Sequence, residues 1–499
     1  MDESGLPANS SNTELVINGD NDSATALLQE KHARRSDSLR DVTFTEFMTV
    51  GILCFINLIN YMDRFTLAGV LADVKSEFNI PDDKAGLLQT VFVVAYMIFA
   101  PIFGYLGDRY SRKMIMAFGV ALWSLTTLLG SFLTNFSWFA LFRGLVGIGE
   151  ASYSTIAPTI ISDLFVGNLR SKMLAFFYFA IPVGSGMGYI VGSGAAAAAD
   201  NWRWGLRVTP FLGIVAVVLI IWLMKDPERG AAEHSHMTAT SYSDDLKSLF
   251  KNPSFMLSTI AFTCVAFVTG ALAWFGPLFI HLGLNMQDGV NIPLERVSLY
   301  FGVITMMSGV LGVPLGTWLG AALAKRWPRA HPVICAAGLL LSAPAMALGM
   351  LLVEGYCYAP FVFMFLGEVA LNLNWAIVAD MSLYVVIPPR RSTAEAFQIL
   401  ISHMFGDAGS PYLVGVISES LQISLSWPTD EQPSQKIQFR ALQYALFMTC
   451  FVELLGGVFF LITAFYIVRD KTKVDKAIAD ADIQRAEPSH STAQEEAQD

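Results

Sequence analysis

Long apolar runs separated by short polar segments fill the chain between residues 47 and 468. Each run is close to the length of about 20 residues that an α-helix needs to cross a bilayer. The pattern predicts an all-α membrane protein with twelve transmembrane helices, which cover residues 47–71, 85–106, 114–134, 138–165, 171–197, 207–225, 255–280, 297–324, 332–353, 359–386, 393–421 and 441–468.

Polar segments divide this pattern into domains. A polar linker over residues 226–254 separates an N-terminal six-helix half, residues 47–225, from a C-terminal six-helix half, residues 255–468. The flanking segments, residues 1–46 and 469–499, are polar and poor in aromatic residues, a composition typical of disorder. We therefore predict two disordered tails around a two-lobed membrane domain.

The two halves repeat short strings in the same order. Arg170-Ser171 recurs as Arg391-Ser392, and Gly149-Glu150 recurs as Gly367-Glu368. Parallel six-helix repeats of this kind build transporters in which the substrate binds between the halves near the membrane midplane. The repeat therefore predicts two pseudo-symmetric lobes around a central polar pathway.

The composition fits this class of protein. Hydrophobic residues make up 54% of the 499 residues and charged residues only 15%, whereas soluble domains carry about 25% charged residues. The five cysteines lack the spacing of a metal site or a disulfide framework. Phosphate-binding loops and catalytic triads are also missing. We expect no enzyme activity, cofactor, metal or nucleic-acid partner.

Positive charge sets the orientation. Most of the 32 lysine and arginine residues fall in the tails and in the loops on the same side, such as the loop that carries Arg390 and Arg391. The loops on the other side are short and acidic, for example around Asp82 and Asp83. Lysine and arginine are enriched in cytosolic loops, so we predict that both termini are cytosolic.

Ionisable residues interrupt several of the apolar runs. Asp63 and Arg64 stand side by side in the first span, and Arg143, Glu150 and Glu368 occur in later spans. A charge at the centre of a membrane helix costs about 2.5–3.5 kcal/mol on insertion scales and persists mainly where it faces a polar interior. Either these residues line a substrate or proton pathway, or they neutralise one another and hold helices together.

Helical spacing groups these residues. Arg143 and Glu150 are seven residues apart, which is two helical turns, so they share a face of the fourth span. We hypothesise that Asp63, Arg64 and Glu150 form one polar cluster. Burial raises the proton affinity of a carboxylate and a nearby arginine lowers it, so a movement of Arg64 would couple transport to protons.

The C-terminal half offers a second candidate group. His403 and Asp407 lie four residues apart on one face of the eleventh span. Histidine titrates within the range of a lysosomal pH gradient, although a histidine that only bonds a carbonyl would fit as well. Glu368, Asn372 and Asn374 provide further polar groups, either for a phosphate-bearing head group or for bonds between helices.

One loop carries a family signature. Residues 104–113 read G-Y-L-G-D-R-Y-S-R-K, which resembles the loop motif of the major facilitator superfamily, except that Ser111 replaces a glycine. The resemblance implies the major facilitator fold and a cytosolic gate that involves Gly104, Asp108, Arg109, Arg112 and Lys113. The corresponding loop of the second half has Ala324 where the acid would be, so only one such latch is complete.

Longer sequence motifs indicate one family within this superfamily. N-Y-M-D-R-F from Asn60, R-G-L-V-G-I-G-E from Arg143 and R-R-S-T-A-E-A-F-Q-I from Arg390 closely resemble the Spinster family of major facilitators. The last string is similar to the lysophospholipid branch, which carries an acid at Glu395. However, the outer loop that follows Leu284 is short and has no cysteine, unlike vertebrate relatives.

The resemblance implies a function. We expect a monomeric secondary transporter that uses protons to export lysolipids, namely lysophosphatidylcholine and lysophosphatidylethanolamine, from the lysosome to the cytosol by alternating access. Leu27-Leu28 resembles a lysosomal sorting signal. Two alternatives remain open: export of sphingosine-1-phosphate or another sphingolipid at the plasma membrane, and a membrane scaffold or receptor that transports nothing.

Overall fold

The computed structural model describes residues 42–165, 167–227, 242–387, 390–426 and 434–486. The sorting signal at Leu27-Leu28 and much of both predicted tails lie outside these residues. So do most of the predicted linker and the side chains of Asp108 and Arg170.

Helices account for the fold throughout the described residues, and no strand occurs among them. The helices of the N-terminal half are α1 Phe44–Gly69, α2 Leu71–Phe78, α3 Asp82–Arg109, α4 Arg112–Gly130, α5 Phe136–Leu164, α6 Gly167–Ala198 and α7 Arg203–Leu223. After the short α8 Tyr242–Phe250, the C-terminal half contains α9 Pro253–Leu284, α10 Leu294–Ala324, α11 Ala330–Leu352, α12 Ala359–Asn372, α13 Asn374–Val385, α14 Arg391–Ser402, α15 Gly409–Ser426 and α16 Gln435–Ala486.

The predicted all-α membrane fold is confirmed. Ten helices of the described chain are long and apolar enough to cross a membrane. The predicted fourth span corresponds to α5, which contains Arg143, Glu150 and Asp163, and the predicted eleventh span is divided between α14 and α15. These helices also match the remaining two spans in position, so the arrangement is consistent with twelve crossings.

The ends of the predicted tails are helical. α1 begins at Phe44 because Thr43 and Glu46 form a reciprocal capping box, in which each side chain accepts a bond from the other residue's backbone. α16 continues to Ala486, so the predicted disorder of residues 469–486 is wrong. Alanine-rich sequence favours helix there, and the Asp470 carboxylate accepts bonds from the Ser254 backbone and hydroxyl at the start of α9.

The two halves meet at the end of the bundle that lies opposite the chain termini, here called the distal end. The Trp274 indole donates to the Ala85 carbonyl (2.9 Å), and the Ser298 hydroxyl donates to the Gly69 carbonyl (3.0 Å). The Thr90 hydroxyl donates to the carbonyl of Ala408 (2.6 Å). These bonds join α1 and α3 to α9, α10 and the start of α15, and they close the distal end.

Glycine makes this closure tight. A β-carbon on Gly86 would overlap the carbonyl oxygen of Pro411 in the opposite half, and one on Gly415 would overlap the Asp82 carbonyl. Gly186 and Gly302 approach each other in the same way between α6 and α10. Backbones approach this closely only where side chains are minimal.

The inner helices are less covered toward the other end, here called the terminal end. Apolar side chains on α3, α6 and α14 are exposed there, among them Ile102, Tyr105, Phe176, Phe179 and Ile399. A β-carbon on Gly104 would have no neighbour within 4 Å. The bonds between the halves described above thus close the distal end, and these exposed side chains lie toward the terminal end.

Candidate functional site

Four ionisable side chains meet inside the N-terminal half. Arg64 on α1 donates to Glu150 on α5 at 3.0 Å, and Arg143 lies 3.6 Å from the Asp63 carboxylate. Arg143 also donates to the carbonyl of Arg64 at 3.1 Å. The two arginines balance the two acids, so this N-terminal cluster is neutral as a whole when all four residues are ionised.

Burial distinguishes the members of the N-terminal cluster. Arg64 keeps 8% of its surface exposed, whereas Glu150 has 0% and Asp63 only 1%. Glu150 is therefore more deeply buried than Arg64. Arg64 Nε and Glu150 Oε1 have no hydrogen-bond partner although both atoms are buried. A buried polar atom without a partner lowers the stability of the fold. Both atoms can still form a hydrogen bond with another group.

Aromatic rings surround Arg64. Its guanidinium carbon lies 5.0 Å from the ring centre of Tyr61, 4.9 Å from that of Phe92 and 5.6 Å from that of Tyr96. These distances allow cation–π attraction, which strengthens when the cation is desolvated. The three rings hold the guanidinium in place. Tyr61 and Tyr96 themselves are only partly buried.

His403 and Asp407 are brought together as predicted by their spacing. The His403 Nδ1 lies 2.8 Å from the nearer carboxylate oxygen of Asp407. Both residues belong to a π-helical turn, His403–Asp407, in which Gly406 leaves helical geometry. The Tyr96 ring lies 6.0 Å from the His403 ring, measured between centres. Through Tyr96, this pair faces the surroundings of Arg64 across the gap between the halves.

The remaining predicted residues of the C-terminal half separate into two environments. Glu368 is partly exposed and accepts hydrogen bonds from Ser308 at 2.7 Å and from Thr305 at 3.5 Å, and Asn372 donates to Ser308 at 3.4 Å. Asn374 is fully buried and donates to the Leu371 carbonyl at 2.9 Å. Asn374 thus stabilises the α12–α13 junction, whereas the side chain of Glu368 keeps part of its surface exposed.

Known proteins are similar to this chain in sequence and in architecture. The Major Facilitator Superfamily model matches residues 53–409. Protein spinster of Drosophila melanogaster is 58% identical over 90% of this chain and 81% of its own length. Protein spinster homolog 1 of Homo sapiens is 53% identical over 85% of this chain and 82% of its own length. This chain belongs to the Spinster family of the major facilitator superfamily.

A solved structure has the same fold as this Spinster chain. It is described as a bacterial homolog to human lysosomal transporter Spinster in an inward-facing and unoccupied conformation. It superposes with a TM-score of 0.76 at 19% identity, over 86% of this chain and 99% of that one. Because the chain belongs to the Spinster family and has long apolar helices, it is a multi-pass membrane transporter, and its family is not an enzyme family.

The loop of the predicted gate stays a prediction as a latch, because the side chain of Asp108 lies outside the described residues, but its other residues make local contacts. Arg112 at the start of α4 forms an ion pair with Asp163 at the end of α5. Ser111, which replaces the usual glycine, caps α4 by accepting a bond from the Met114 backbone at 3.5 Å. The Arg109 guanidinium stacks on the Tyr105 ring, 3.7 Å from its centre. Lys113, which follows Arg112 in α4, is only partly buried.

Several polar partners of this Spinster site have no clear signal in the sequence. Thr127 donates to the Asp63 carboxylate at 3.2 Å, and Thr209 donates to its other oxygen. These hydroxyls come from α4 and α7, so only the packing of three helices reveals them. A threonine within an apolar span is a weak signal, because it often bonds its own helix backbone.

Proposed function

We propose that this Spinster transporter exports lysophospholipids from the lysosome lumen to the cytosol, driven by protons. The observation that carries the proposal is Arg64, a cation held by Glu150 and three aromatic rings beside the space between the halves. A guanidinium presents several donors in a plane that matches phosphate oxygens. Arg64 therefore suits an anionic phosphate head group better than a neutral solute.

The apolar side chains near the terminal end suit the rest of such a substrate. Phe176, Phe179, Ile102 and Tyr105 are exposed on the inner helices α3 and α6. A lysolipid has a single acyl chain, which would lie along such a surface while its phosphate meets Arg64. Because membrane proteins are rich in apolar residues in general, the argument depends on their combination with Arg64.

The direction of export follows from charge and conformation. If the terminal end is cytosolic, as the distribution of lysine and arginine predicts, the closed distal end supports release of substrate on the cytosolic side. The lysosomal location is supported by a solved structure described as a homolog to a human lysosomal transporter. Protein spinster homolog 1 relatives of high identity support the same family branch.

Proton coupling would use the two polar groups that face each other. His403 and Asp407 lie on the π-helical turn of the C-terminal half, and Arg64 with Glu150 lies in the N-terminal half. A π-helical turn within an α-helix often occurs at functional sites. Protonation of His403 would strengthen its pairing with Asp407 and so change the charge that faces Arg64 when the halves move.

Transport of defined lipids by purified protein tests this function. We expect liposomes that contain the full chain to move lysophosphatidylcholine faster when the side facing the distal end is acidic. Lysosomes from cells that lack the protein should accumulate lysophosphatidylcholine and lysophosphatidylethanolamine. Movement of sphingosine-1-phosphate instead would favour the second lipid class, and binding without movement would favour a scaffold.

Substitution of His403 is expected to remove the acid response. Glutamine cannot take up a proton in this range, so His403→Gln should transport lysophosphatidylcholine at a rate that no longer rises as the pH falls from about 7.5 to about 5.5. The measurement is the initial rate against pH in the same liposomes. His331→Gln is the matched control, because His331 lies at the start of α11 and bonds Tyr384. An unchanged pH profile in His403→Gln would contradict the proposed role.

A further inference from the structure

A cleft of about 630 Å³ opens between the halves at the distal end. α2 and the segment from α6 to α7 line one side, and the end of α9 and the start of α10 line the other. The cleft lies directly outside the contacts that close the distal end. Its walls belong to opposite halves, so the cleft changes shape whenever the distal end opens.

Two carboxylates from opposite halves meet in this cleft. Asp73 lies four residues after Gly69, in the first turn of α2, and Glu295 lies one turn before Ser298 in α10. Since Ser298 donates to the Gly69 carbonyl at 3.0 Å, these turns are stacked against each other and bring Asp73 and Glu295 to the same cleft. Closure of the distal end therefore brings two like charges into one cleft.

The other charged groups of the cleft are largely compensated. Glu77 forms an ion pair with Arg203 and also accepts a bond from the Trp202 indole. Lys75 of α2 is paired with Asp82. The remaining titratable groups that line the cleft are Asp200 and His281, and His281 lies 3.2 Å from the Asn285 amide. No cation among the described pairs neutralises Asp73 or Glu295.

The pKa values of Asp73 and Glu77 differ because Glu77 is paired with a cation and Asp73, among the described residues, is not. Burial and the negative charge of Glu295 raise the pKa of Asp73 above its usual value. Burial alone would also raise the pKa of Glu77, but the bonds from Arg203 and Trp202 hold it below its usual value. Both causes that act on Asp73 depend on the closed distal end, because opening separates α2 from α10 and admits water.

We propose that Asp73 and Glu295 form a pH-sensitive distal gate, in which acid on the distal side favours closure by removing the repulsion between them. The state with the higher pKa is the one that acid stabilises. The ratio of closed to open protein should rise about tenfold for each pH unit by which closure raises the pKa of the pair. If the distal side is the lysosome lumen, lumenal acid drives the loaded transporter toward cytosolic release.

Distance measurements between spin labels test the gate without any lipid substrate. Trp138 at the start of α5 and Tyr358 before α12 are exposed at the distal end of opposite halves. We would label Trp138→Cys and Tyr358→Cys in the full chain without its five native cysteines, after verifying that this background transports. The expected result is a growing short-distance population as the pH falls from about 7.5 to about 5.0.

The variant Asp73→Asn/Glu295→Gln should remain in the short-distance population at both pH values. That outcome also shows that the variant is folded. Asp288→Asn, an exposed carboxylate in the loop after α9 that does not line the cleft, should keep the wild-type pH response. A wild-type response in the double variant, or opening of the wild-type protein in acid, would overturn the proposal. Neither result depends on which lipid is transported.

Discussion

Replacement of Arg64 with alanine is expected to abolish lysolipid transport and to destabilise the protein. The change removes the group that would meet the phosphate, and it leaves Glu150 fully buried without its partner. Loss of one member of a buried ion pair costs about 3–5 kcal/mol. We therefore expect no transport in liposomes and a lower melting temperature for purified Arg64→Ala protein.

A double substitution separates these two effects. In Arg64→Gln/Glu150→Gln both charges are gone, so stability should recover in large part while transport remains absent. The control is Arg440→Gln/Glu354→Gln, which removes a partly exposed distal ion pair of 2.7 Å and should leave transport near the wild-type rate. Transport by Arg64→Ala at the wild-type rate would show that Arg64 does not recognise the substrate.

Gly86→Val is expected to block the transport cycle by holding the distal end open. The new side chain would collide with the Pro411 backbone in the opposite half only when the halves close. Overpacking of this kind costs about 1–3 kcal/mol, which corresponds to roughly a 5- to 150-fold shift between two states. Initial transport rates should fall accordingly, while the melting temperature changes little.

Gly194→Val provides the matched control for the Gly86→Val substitution. Gly194 lies near the distal end of α6 and is exposed, and a β-carbon added there would have no neighbour within 4 Å. The same substitution at this position should leave the transport rate unchanged. Equal effects of the two valines would mean that Gly86 acts through the stability of its helix and not through closure.

The membrane spans and the buried charges could be predicted from the sequence because both follow from the energetics of the bilayer. Apolar length identifies a crossing helix, and a charge within such a helix must face other protein groups. The spacing of His403 and Asp407 likewise predicts their contact, which the structure contains. These features depend on residues that are local in sequence.

Other features depend on packing between distant helices. The partners of Asp63 come from α4 and α7, and no local pattern connects them. The π-helical turn at Gly406 arises where α9 packs closely, since a β-carbon there would meet Ala266 at 2.6 Å. Polar composition alone does not reveal the helical extension of α16, because that extension is held by the contact of Asp470 with the start of α9.

The neutrality of the N-terminal cluster bears on how membrane voltage would act. A charge that crosses the membrane field exchanges about 2.3 kcal/mol per 100 mV. Since Arg64 and Arg143 are paired with Glu150 and Asp63, a rigid rotation of this lobe transfers almost no net charge. Electrical driving force would then enter the cycle through the bound cargo and its accompanying ions, and not through this cluster.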